Sequence, residues 1–527
     1  MRSTMENPDI LMIVLDTQRV DRLSCYNPES KLTPNIKRFA DEAVLFEKGI
    51  SAAQWTIPSH ASMFTGLFPT AHQLTQSNLR LAADTPHVAE ILAAAGYKTA
   101  GFCNNPLVGV LDNELKRGFK EFYNYAGSFP NRPEFYKKSI FGRIKESVSA
   151  FLRRNVGMPI QQWFGKSDTA FSLSLSPIFT PLWSKWFSFK GQNKNSVLDV
   201  AEFVKRNDGK RENPFFVFLN LMETHLPFYP PIEYVERIHP ELANSREARR
   251  VMQEWNSEGY RWSRPLPDGL TELEDKVLNG WYDVETHYQD EFLQNLFDAL
   301  AERKNAENTL TIIVGDHGDG LGEHGYFGHA FNAYQELLHV PLIVHWPKML
   351  NQYKGKRVSG PVSSRRVFHT ILNAAGIDGA EISTTSQAEL KALTLTEVIA
   401  GRDVEHETAY SEVFPPMNFV KAMEDRNPGL ADRFRCNDLR RSIVQNDKKL
   451  IQVADEPDEL FDLNTDQLEL TSIMPENGEL MKQLNQNLNR MIGTLENQRD
   501  NLIAGVPLEL EQDPQMLEHL RGLGYID

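Results

Sequence analysis

Four short segments of this chain carry side chains that could together bind a cation and activate an oxygen atom. They contain Asp16, Thr56, His225 and the pair Asp316-His317, and three of the four lie at or just after an apolar run. Two carboxylates, an imidazole and a hydroxyl oxygen can hold one divalent cation. This mixed set favours Mn²⁺, Zn²⁺ or Fe²⁺ over Ca²⁺, which prefers oxygen ligands alone. Each residue also has an ordinary explanation, because Asp and Thr cap helices and Asp-His-Gly can form a turn.

Thr56 is the residue best suited to a covalent role. Pro58 indicates a first helical turn, so the Thr56 hydroxyl is expected near a helix N-terminus, where free N–H groups favour a tetrahedral anion. A cation bound beside it would lower the pKa of the hydroxyl and polarise the ester oxygen. The residues therefore predict in-line attack by Thr56 and protonation of the departing oxygen by a histidine. Water or an alcohol would then attack the Thr56 adduct.

The elements that must position these residues are alternating strands and helices. Buried strands are predicted for the continuous apolar runs at residues 10–15, 98–103, 215–221 and 309–315. Helices are predicted between them, at residues 33–42, 84–95 and 283–302. This alternation predicts an α/β fold with a large doubly wound, mixed but mainly parallel sheet and helices on both faces. Ligands bind at the carboxyl ends of strands in such sheets, which is where the polar residues lie.

The last third of the chain has a different pattern. Residues 448–453 and 459–463 predict an antiparallel hairpin, and residues 477–498 an amphipathic helix. We therefore expect a catalytic domain over residues 1–375 and a smaller C-terminal α+β domain with an antiparallel sheet over residues 376–527.

The bulk properties exclude several classes of protein. A net charge of −15 over 527 residues argues against nucleic-acid binding. The widely spaced Cys25, Cys103 and Cys436 indicate neither a disulfide framework nor a zinc motif. Neither a signal peptide nor an apolar run long enough to span a membrane is apparent, so a cytoplasmic protein is expected.

A basic, aromatic segment at about residues 116–194 interrupts this acidic chain. It contains 14 Lys and Arg residues against 4 Asp and Glu, together with three Trp residues. The favoured interpretation is an insertion that covers the active site or forms a contact in a homo-oligomer. The alternative is peripheral contact with an anionic membrane, because such surfaces combine aromatic and basic residues.

The run from Gln54 to Gly66 resembles the signature of sulfatases, in the alkaline phosphatase superfamily. That signature begins with a Cys or Ser that is oxidised to formylglycine, followed by Pro, Ser and Arg. Here Thr56 stands at the first position, so no formylglycine is expected, and His60 stands in place of the Arg. Thr17 stands where sulfatases usually have a second Asp, which removes a carboxylate from a Ca²⁺ cage of the sulfatase type.

The resemblance implies roles for the other segments. Asp16, Thr56, Asp316 and His317 would bind one divalent metal ion. His225, in a His-Leu-Pro-Phe-Tyr-Pro-Pro run, would contact the ester oxygens or the leaving group. His329 falls where many relatives have a substrate-binding Lys. The Asp-His pair is similar to that of phosphonate monoester hydrolases and of phosphoglycerol transferases of the lipoteichoic-acid type.

Further substrate contacts are expected from polar residues near the same edge of the sheet: His60, Asn78, Asn104 with its neighbour Asn105, and His324. The sequence predicts a metal-dependent hydrolase or transferase of phosphate mono- or diesters or phosphonate esters, acting on a small-molecule or lipid-linked substrate. One alternative is a sulfuric ester hydrolase of the sulfatase type. An alternative of another class is a non-catalytic binding protein on a degenerate sulfatase scaffold.

Overall fold

The structure is a computed structural model that describes residues 7–126, 131–135, 190–209, 213–377, 379, 386–502 and 506–507. Most of the basic, aromatic segment at 116–194 lies outside the described residues, so the expectations for it stay predictions. None of the helices in the described ranges combines the length and apolar composition that crossing a bilayer requires.

The strands of the described residues are, in chain order, β1 (Asp9–Leu15), β2 (Val44–Ile50), β3 (Leu79–Arg80), β4 (Lys98–Cys103), β5 (Glu121–Asn124), β6 (Phe215–Leu221), β7 (Arg264–Pro265), β8 (Thr309–Gly315), β9 (Gly320–Leu321), β10 (Tyr326–Gly328), β11 (His339–Val340), β12 (Leu342–His345), β13 (Arg357–Ser363), β14 (Thr408–Val413), β15 (Arg440–Gln445), β16 (Lys448–Val453), β17 (Glu456–Asp462) and β18 (Val506–Pro507).

The α-helices of the same residues are α1 (Pro34–Asp41), α2 (Thr56–Thr65), α3 (Pro69–His72), α4 (Val88–Ala94), α5 (Pro106–Gly109), α6 (Asn193–Arg206), α7 (Ile232–Ile238), α8 (Pro240–Asn244), α9 (Arg246–Ser257), α10 (Glu272–Ala301), α11 (Gln335–Leu338), α12 (Pro347–Leu350), α13 (Arg366–Ala374), α14 (Gln387–Ala392), α15 (Leu395–Ile399), α16 (Met417–Glu424), α17 (Leu430–Arg433) and α18 (Gly478–Asp500).

A nine-stranded mixed sheet forms the centre of the fold. Its order is β11-β2-β12-β8-β1-β6-β4-β5, with β13 also paired to β2. The strands β8, β1, β6, β4 and β5 run parallel to one another, whereas β12 is antiparallel to both β8 and β2. The prediction of a mixed, mainly parallel sheet is confirmed.

Helices cover both faces of this sheet, as the continuous apolar runs predict. Alternate residues of β1 belong to two different hydrophobic cores, with Met12 in one and Ile13 in the other. The helix α2 packs within the first core through residues such as Phe64, and α10 packs within the second through residues such as Phe292. The strands of the sheet are therefore packed tightly on both faces.

Most predicted elements have the expected bounds. The strands β4, β6 and β8 match the apolar runs at 98–103, 215–221 and 309–315. The long helix α10 begins at Glu272, well before the predicted start at residue 283. Its N-terminus is fixed by a capping box between Thr271 and Glu274, a signal that is readable in the sequence.

A four-stranded antiparallel sheet, in the order β14-β15-β16-β17, confirms the predicted C-terminal hairpin. The helix α18 packs on it through Leu484, Leu488 and Leu495. The first strand of this sheet touches the central domain: Ser411 Oγ donates to the Ser51 carbonyl at 2.6 Å. The small sheet therefore supports the loop that precedes Thr56.

Candidate active site

The ends of four neighbouring strands bring the chemistry-bearing residues together. Asp16 follows β1, Asp316 and His317 follow β8, Asn105 lies after β4, and His225 lies in the loop after β6. These strands are adjacent and parallel, so their carboxyl ends meet at one edge of the sheet. Thr56 reaches the same edge from the first turn of α2.

Asp16, Asp316 and His317 form a compact group whose potential ligand atoms all lie within 4.8 Å of one another. The Nε2 atom of His317 is 3.4 Å from Asp316 Oδ2 and 4.0 Å from Asp16 Oδ1. Because His317 Nδ1 donates to the Gly318 carbonyl at 2.8 Å, its Nε2 carries the lone pair that a metal ion requires. Burial also lowers the pKa of His317 well below its usual value, so the ring is neutral.

The electrostatics of this group fit a bound cation. Asp16 Oδ1 and Asp316 Oδ2 are buried and have no hydrogen-bond partner among the described residues. Burial raises the pKa of Asp16 to about 6, although the hydrogen bond from Asn105 lowers it. Burial, and then the charge of Asp16, raises the pKa of Asp316 well above its usual value. Two buried carboxylates that repel each other and face a neutral imidazole are the donor set that a divalent cation would satisfy.

Thr17 takes no part in this donor set. It adopts a left-handed backbone conformation with φ of +56°, and its amide donates to Asp316 Oδ1 at 3.3 Å. Its hydroxyl donates to the Asp16 carbonyl at 2.6 Å. Thr17 therefore orients the ligands through its backbone.

The Thr56 hydroxyl lies beside the donor set. Its Oγ1 is 3.4 Å from His317 Nε2 and accepts a hydrogen bond of 3.2 Å from Asn105 Nδ2. Trp55 occupies the N-cap position of α2, and no side chain caps that helix end. The helix-cap explanation of Thr56 therefore does not apply, and its hydroxyl is held among the groups that could activate it.

The structure brings Asn105, and not Asn104, to Thr56. The Asn105 Nδ2 group donates to Thr56 Oγ1 and to Asp16 Oδ2, the latter at 2.6 Å. Asn104 points its amide elsewhere, donating to Ser196 Oγ and to the Asn220 carbonyl, each at 2.8 Å. The two asparagines are adjacent in sequence, so only their orientation at the end of β4 separates a site contact from a structural one.

His60 lies behind the donor set and not on an open surface. Its Nδ1 donates to the Thr56 carbonyl at 2.9 Å and lies 3.4 Å from Asp316 Oδ2. Burial lowers its pKa to about 4, and its ring meets Phe64 and Phe218 edge-on. His60 therefore contacts the proposed nucleophile and a proposed metal ligand from the protein interior.

His225 and His329 complete the cluster. Their ring centroids are 5.1 Å apart, and the His329 ring is 4.5 Å from that of His317. Asp319, which the sequence analysis did not single out, accepts a hydrogen bond of 3.0 Å from His329 Nδ1. Burial, followed by the charge of His329, lowers the pKa of His225 to about 3. His225 is therefore neutral at pH 7.

Two of the expected substrate contacts lie apart from this cluster. Asn78 is exposed in a turn before β3. His324 stacks on Tyr334, with ring centroids 3.7 Å apart, and hydrogen-bonds to Glu336 at 3.0 Å and to the Glu469 carbonyl at 3.1 Å. These contacts tie His324 to the start of α11 and to the segment after β17, and not to Thr56.

Comparison with known proteins shows that this chain is similar to sulfatases in sequence and to a phosphonate monoester hydrolase in structure. The family profile described as Sulfatase matches residues 8–377. A curated relative, the arylsulfatase of Clostridium perfringens, is 24% identical, over 98% of this chain and 100% of its own. The uncharacterized sulfatase YidJ of Escherichia coli is 22% identical, over 72% of this chain and 70% of its own. Among solved structures, the phosphonate monoester hydrolase of Agrobacterium radiobacter superposes with a TM-score of 0.63 at 19% identity. That match covers 93% of this chain and 96% of the hydrolase.

Proposed function

Because this chain belongs to the sulfatase family of hydrolases, we propose that it cleaves phosphate mono- or diesters or phosphonate esters through a covalent intermediate on Thr56. The observation that carries the proposal is the position of Thr56 Oγ1, 3.2 Å from Asn105 Nδ2 and 3.4 Å from His317 Nε2. The hydroxyl thus stands where the family has its nucleophile, but it is that of a threonine.

Threonine at this position favours phosphorus over sulfur esters. A formylglycine hydrate, as the family resemblance implies, releases sulfate by elimination from its second hydroxyl group. Thr56 has one hydroxyl, so a sulfated Thr56 would lack that route. A phosphorylated or phosphonylated Thr56 can be resolved by a second in-line attack at phosphorus.

The residues that would hold the cation are Asp16, Asp316, His317 and Thr56. When bound, a divalent ion there would supply charge for lowering the pKa of the Thr56 hydroxyl and for polarising the ester. The presence of a nitrogen ligand favours Mn²⁺, Zn²⁺ or Fe²⁺ over Ca²⁺.

In the first step the Thr56 hydroxyl gives up its proton to solvent, and its oxygen forms a bond to phosphorus while the bond from phosphorus to the leaving oxygen breaks. The leaving oxygen needs a proton, and His329 is suited to supply it because Asp319 accepts its other N–H at 3.0 Å. In the second step water or an acceptor alcohol attacks phosphorus and releases Thr56. His329, having given up its proton in the first step, can take the proton of that attacking group, and His225, which burial keeps neutral, can orient the group by accepting a hydrogen bond from it.

A second candidate is hydrolysis of sulfate esters by an unmodified Thr56. The names of the relatives favour it, since both the Clostridium perfringens and the Escherichia coli proteins are called sulfatases. The third reading, a non-catalytic binding protein, is disfavoured because Asp16, Asp316 and His317 are assembled with ligand spacing.

The test compares 4-nitrophenyl esters of phenylphosphonate, phosphate and sulfate, and the bis(4-nitrophenyl) phosphodiester, on the metal-loaded protein. We expect phosphonate or phosphodiester cleavage to exceed sulfate cleavage by orders of magnitude. Thr56→Ala should lower turnover by at least about 10³-fold, whereas Thr56→Ser should retain measurable activity.

Thr65→Ala is a matched control, because Thr65 is a buried threonine of the same helix whose hydroxyl bonds away from the site: it donates to the Ala61 carbonyl at 2.7 Å and accepts from the Leu67 amide at 3.2 Å. It should leave turnover nearly unchanged. Preferred cleavage of the sulfate ester would promote the second candidate, and full activity of Thr56→Ala would refute the covalent mechanism.

A further inference from the structure

The loop at residues 223–229, which carries His225, is closed by a buried ion pair from outside the catalytic cluster. Lys190 Nζ lies 2.6 Å from Glu285 Oε1, and both side chains are almost completely buried. Glu285 lies on α10, whereas Lys190 lies just before α6. Neither residue has been assigned to metal binding, to nucleophilic attack or to proton transfer. The role of this buried ion pair therefore has to be explained separately.

This ion pair bonds to both ends of the loop. Lys190 Nζ donates to the Glu223 carbonyl at 2.7 Å, and the Tyr229 amide donates to Glu285 Oε1 at 2.7 Å. Glu223 precedes His225 by two residues and Tyr229 follows it by four. The contact between Lys190 and Glu285 thus holds both ends of the loop that carries His225.

The rest of the loop backbone is also held by side chains of other elements. Asn193 Oδ1 accepts from the Met222 amide at 2.8 Å. Asn256 bonds to both the amide and the carbonyl of Phe228, at 2.9 and 2.8 Å. Buried backbone groups without a strand or helix need such partners. Among these partners the Lys190–Glu285 pair is the charged one, and it is the one that joins the two ends.

We propose that Lys190 and Glu285 are positioning residues for His225, and that their ion pair holds the histidine where it serves the release of the Thr56 adduct. The inference rests on the proposed function for its kinetic consequence, but the closure of the loop itself is independent of it. Removal of the pair should let the loop move by a fraction of an ångström or more, and misplacements of about 1 Å can cost about 100-fold in rate.

The kinetic test uses Glu285→Gln with a 4-nitrophenyl phosphonate or phosphodiester. If His225 assists the second step, that step should slow by about 10- to 100-fold. The variant should then release nitrophenol in a burst of nearly one equivalent, and intact-protein mass spectrometry should detect the Thr56 adduct. Equal slowing of the burst and the steady state, with no adduct, would overturn the assignment.

A structural readout separates this proposal from the proposed function. In Glu285→Gln, hydrogen–deuterium exchange should rise in peptides covering residues 222–231 and stay unchanged in peptides covering β8. If exchange rises but no ester is cleaved even by the unaltered protein, the loop closure stands and the proposed function fails. If exchange in the loop does not rise, the positioning role is refuted whatever the activity.

Two further variants exclude a general loss of stability. Glu469→Gln breaks another fully buried pair, with Lys449 at 2.7 Å, on the C-terminal side of the protein, so it should unfold more easily without accumulating adduct. The Glu223 carboxylate also lies 3.9 Å from Lys190 Nζ, so the triple variant Lys190→Met/Glu223→Gln/Glu285→Gln is the one that leaves no uncompensated buried charge, and it should recover thermal stability. This variant should still show fast hydrogen exchange in the loop and the nitrophenol burst. A return of both readouts to the behaviour of the unaltered protein would contradict the proposal. This variant also replaces Glu285→Gln in the test if the single variant does not fold.

Discussion

If Asp16, Asp316 and His317 bind a cation as proposed, its chelation should reverse how the stability of this protein responds to pH. In the absence of a cation, burial raises the pKa of Asp16 to about 6, compared with a value near 4 in the unfolded chain. The protonated Asp16 carboxyl therefore makes its full contribution to the free energy of unfolding below about pH 4. This contribution is lost as pH rises through about 6. A shift of about two units corresponds to about 3 kcal/mol of unfolding free energy.

A saturating cation should act in the opposite direction, because it needs the same carboxylates ionised. At a free metal concentration of about 1,000 times Kd it would add about 4 kcal/mol at neutral pH, and less as protons compete near pH 5. Asp316→Asn removes one of the two repelling charges. In chelator at pH 7 this variant should be more stable than the unaltered protein, and Mn²⁺ or Zn²⁺ should give it little further stability.

Urea unfolding between pH 5 and pH 8, with EDTA or with Mn²⁺, Zn²⁺ or Ca²⁺, measures these effects directly. Asp290→Asn is the control, because Asp290 is another buried carboxylate whose pKa burial raises, to about 7, but it bonds to the backbone at the start of α1. It should change the pH profile without changing the metal response. A protein that gains no stability from any of these cations, or an Asp316→Asn variant that is less stable in EDTA, would refute the reasoning.

Two other predictions follow from single contacts. Asn105→Ser keeps a side-chain oxygen that can cap α5 but loses the N–H bonds to Thr56 and Asp16, so turnover should fall about 10- to 100-fold with little change in melting temperature; unchanged turnover would show that Asn105 does not position the nucleophile. Burial opposes the charge of His324, but its hydrogen bond to Glu336 outweighs this and raises the pKa to about 9. Protonated His324 should contribute about 1 to 3 kcal/mol to the free energy of unfolding, after allowance for solvent screening. This contribution should be fully present below about pH 6.5 and should be lost as pH rises through 9. His324→Gln should abolish this alkaline decline in unfolding free energy, and a parallel decline in the variant would exclude His324 as its source.

The strands of the central sheet could be predicted closely because each is a single apolar run. Residues of β6 and β8 are buried on both faces, and a chain segment buried on both sides must be apolar throughout. The residues at the carboxyl ends of these parallel strands then lie at the same edge of the sheet, irrespective of how the connecting loops fold. This is why Asp16, Asp316 and His317 could be proposed together as metal ligands.

The finer geometry of the site could not be predicted. Asn104 and Asn105 have the same side chain one position apart, and a turn of the backbone after β4 decides which faces Thr56. His324 lies in a Gly-rich run that could have been a substrate loop, yet its hydrogen-bond partners are Glu336, 12 positions later, and the carbonyl of Glu469, 145 positions later. Lys190 and Glu285 are distant in sequence and carry no motif, so only the three-dimensional structure shows that they close the 223–229 loop.

The pairing of β1 has a consequence for how this protein is made. In the register of the sheet Ile10 lies between Phe216 and Leu310, so the central strand has both its neighbours 200 to 300 residues later in the chain. At ribosomal rates of about 5–20 residues per second, its second neighbour emerges about 15 to 60 s after it does. Until β6 emerges the apolar strand β1 has two open edges, and one edge stays open until β8 emerges. Open strand edges are the condition under which nascent chains aggregate or engage chaperones. The same arrangement that places Asp16 at the centre of the site therefore makes its completion a late event in biosynthesis.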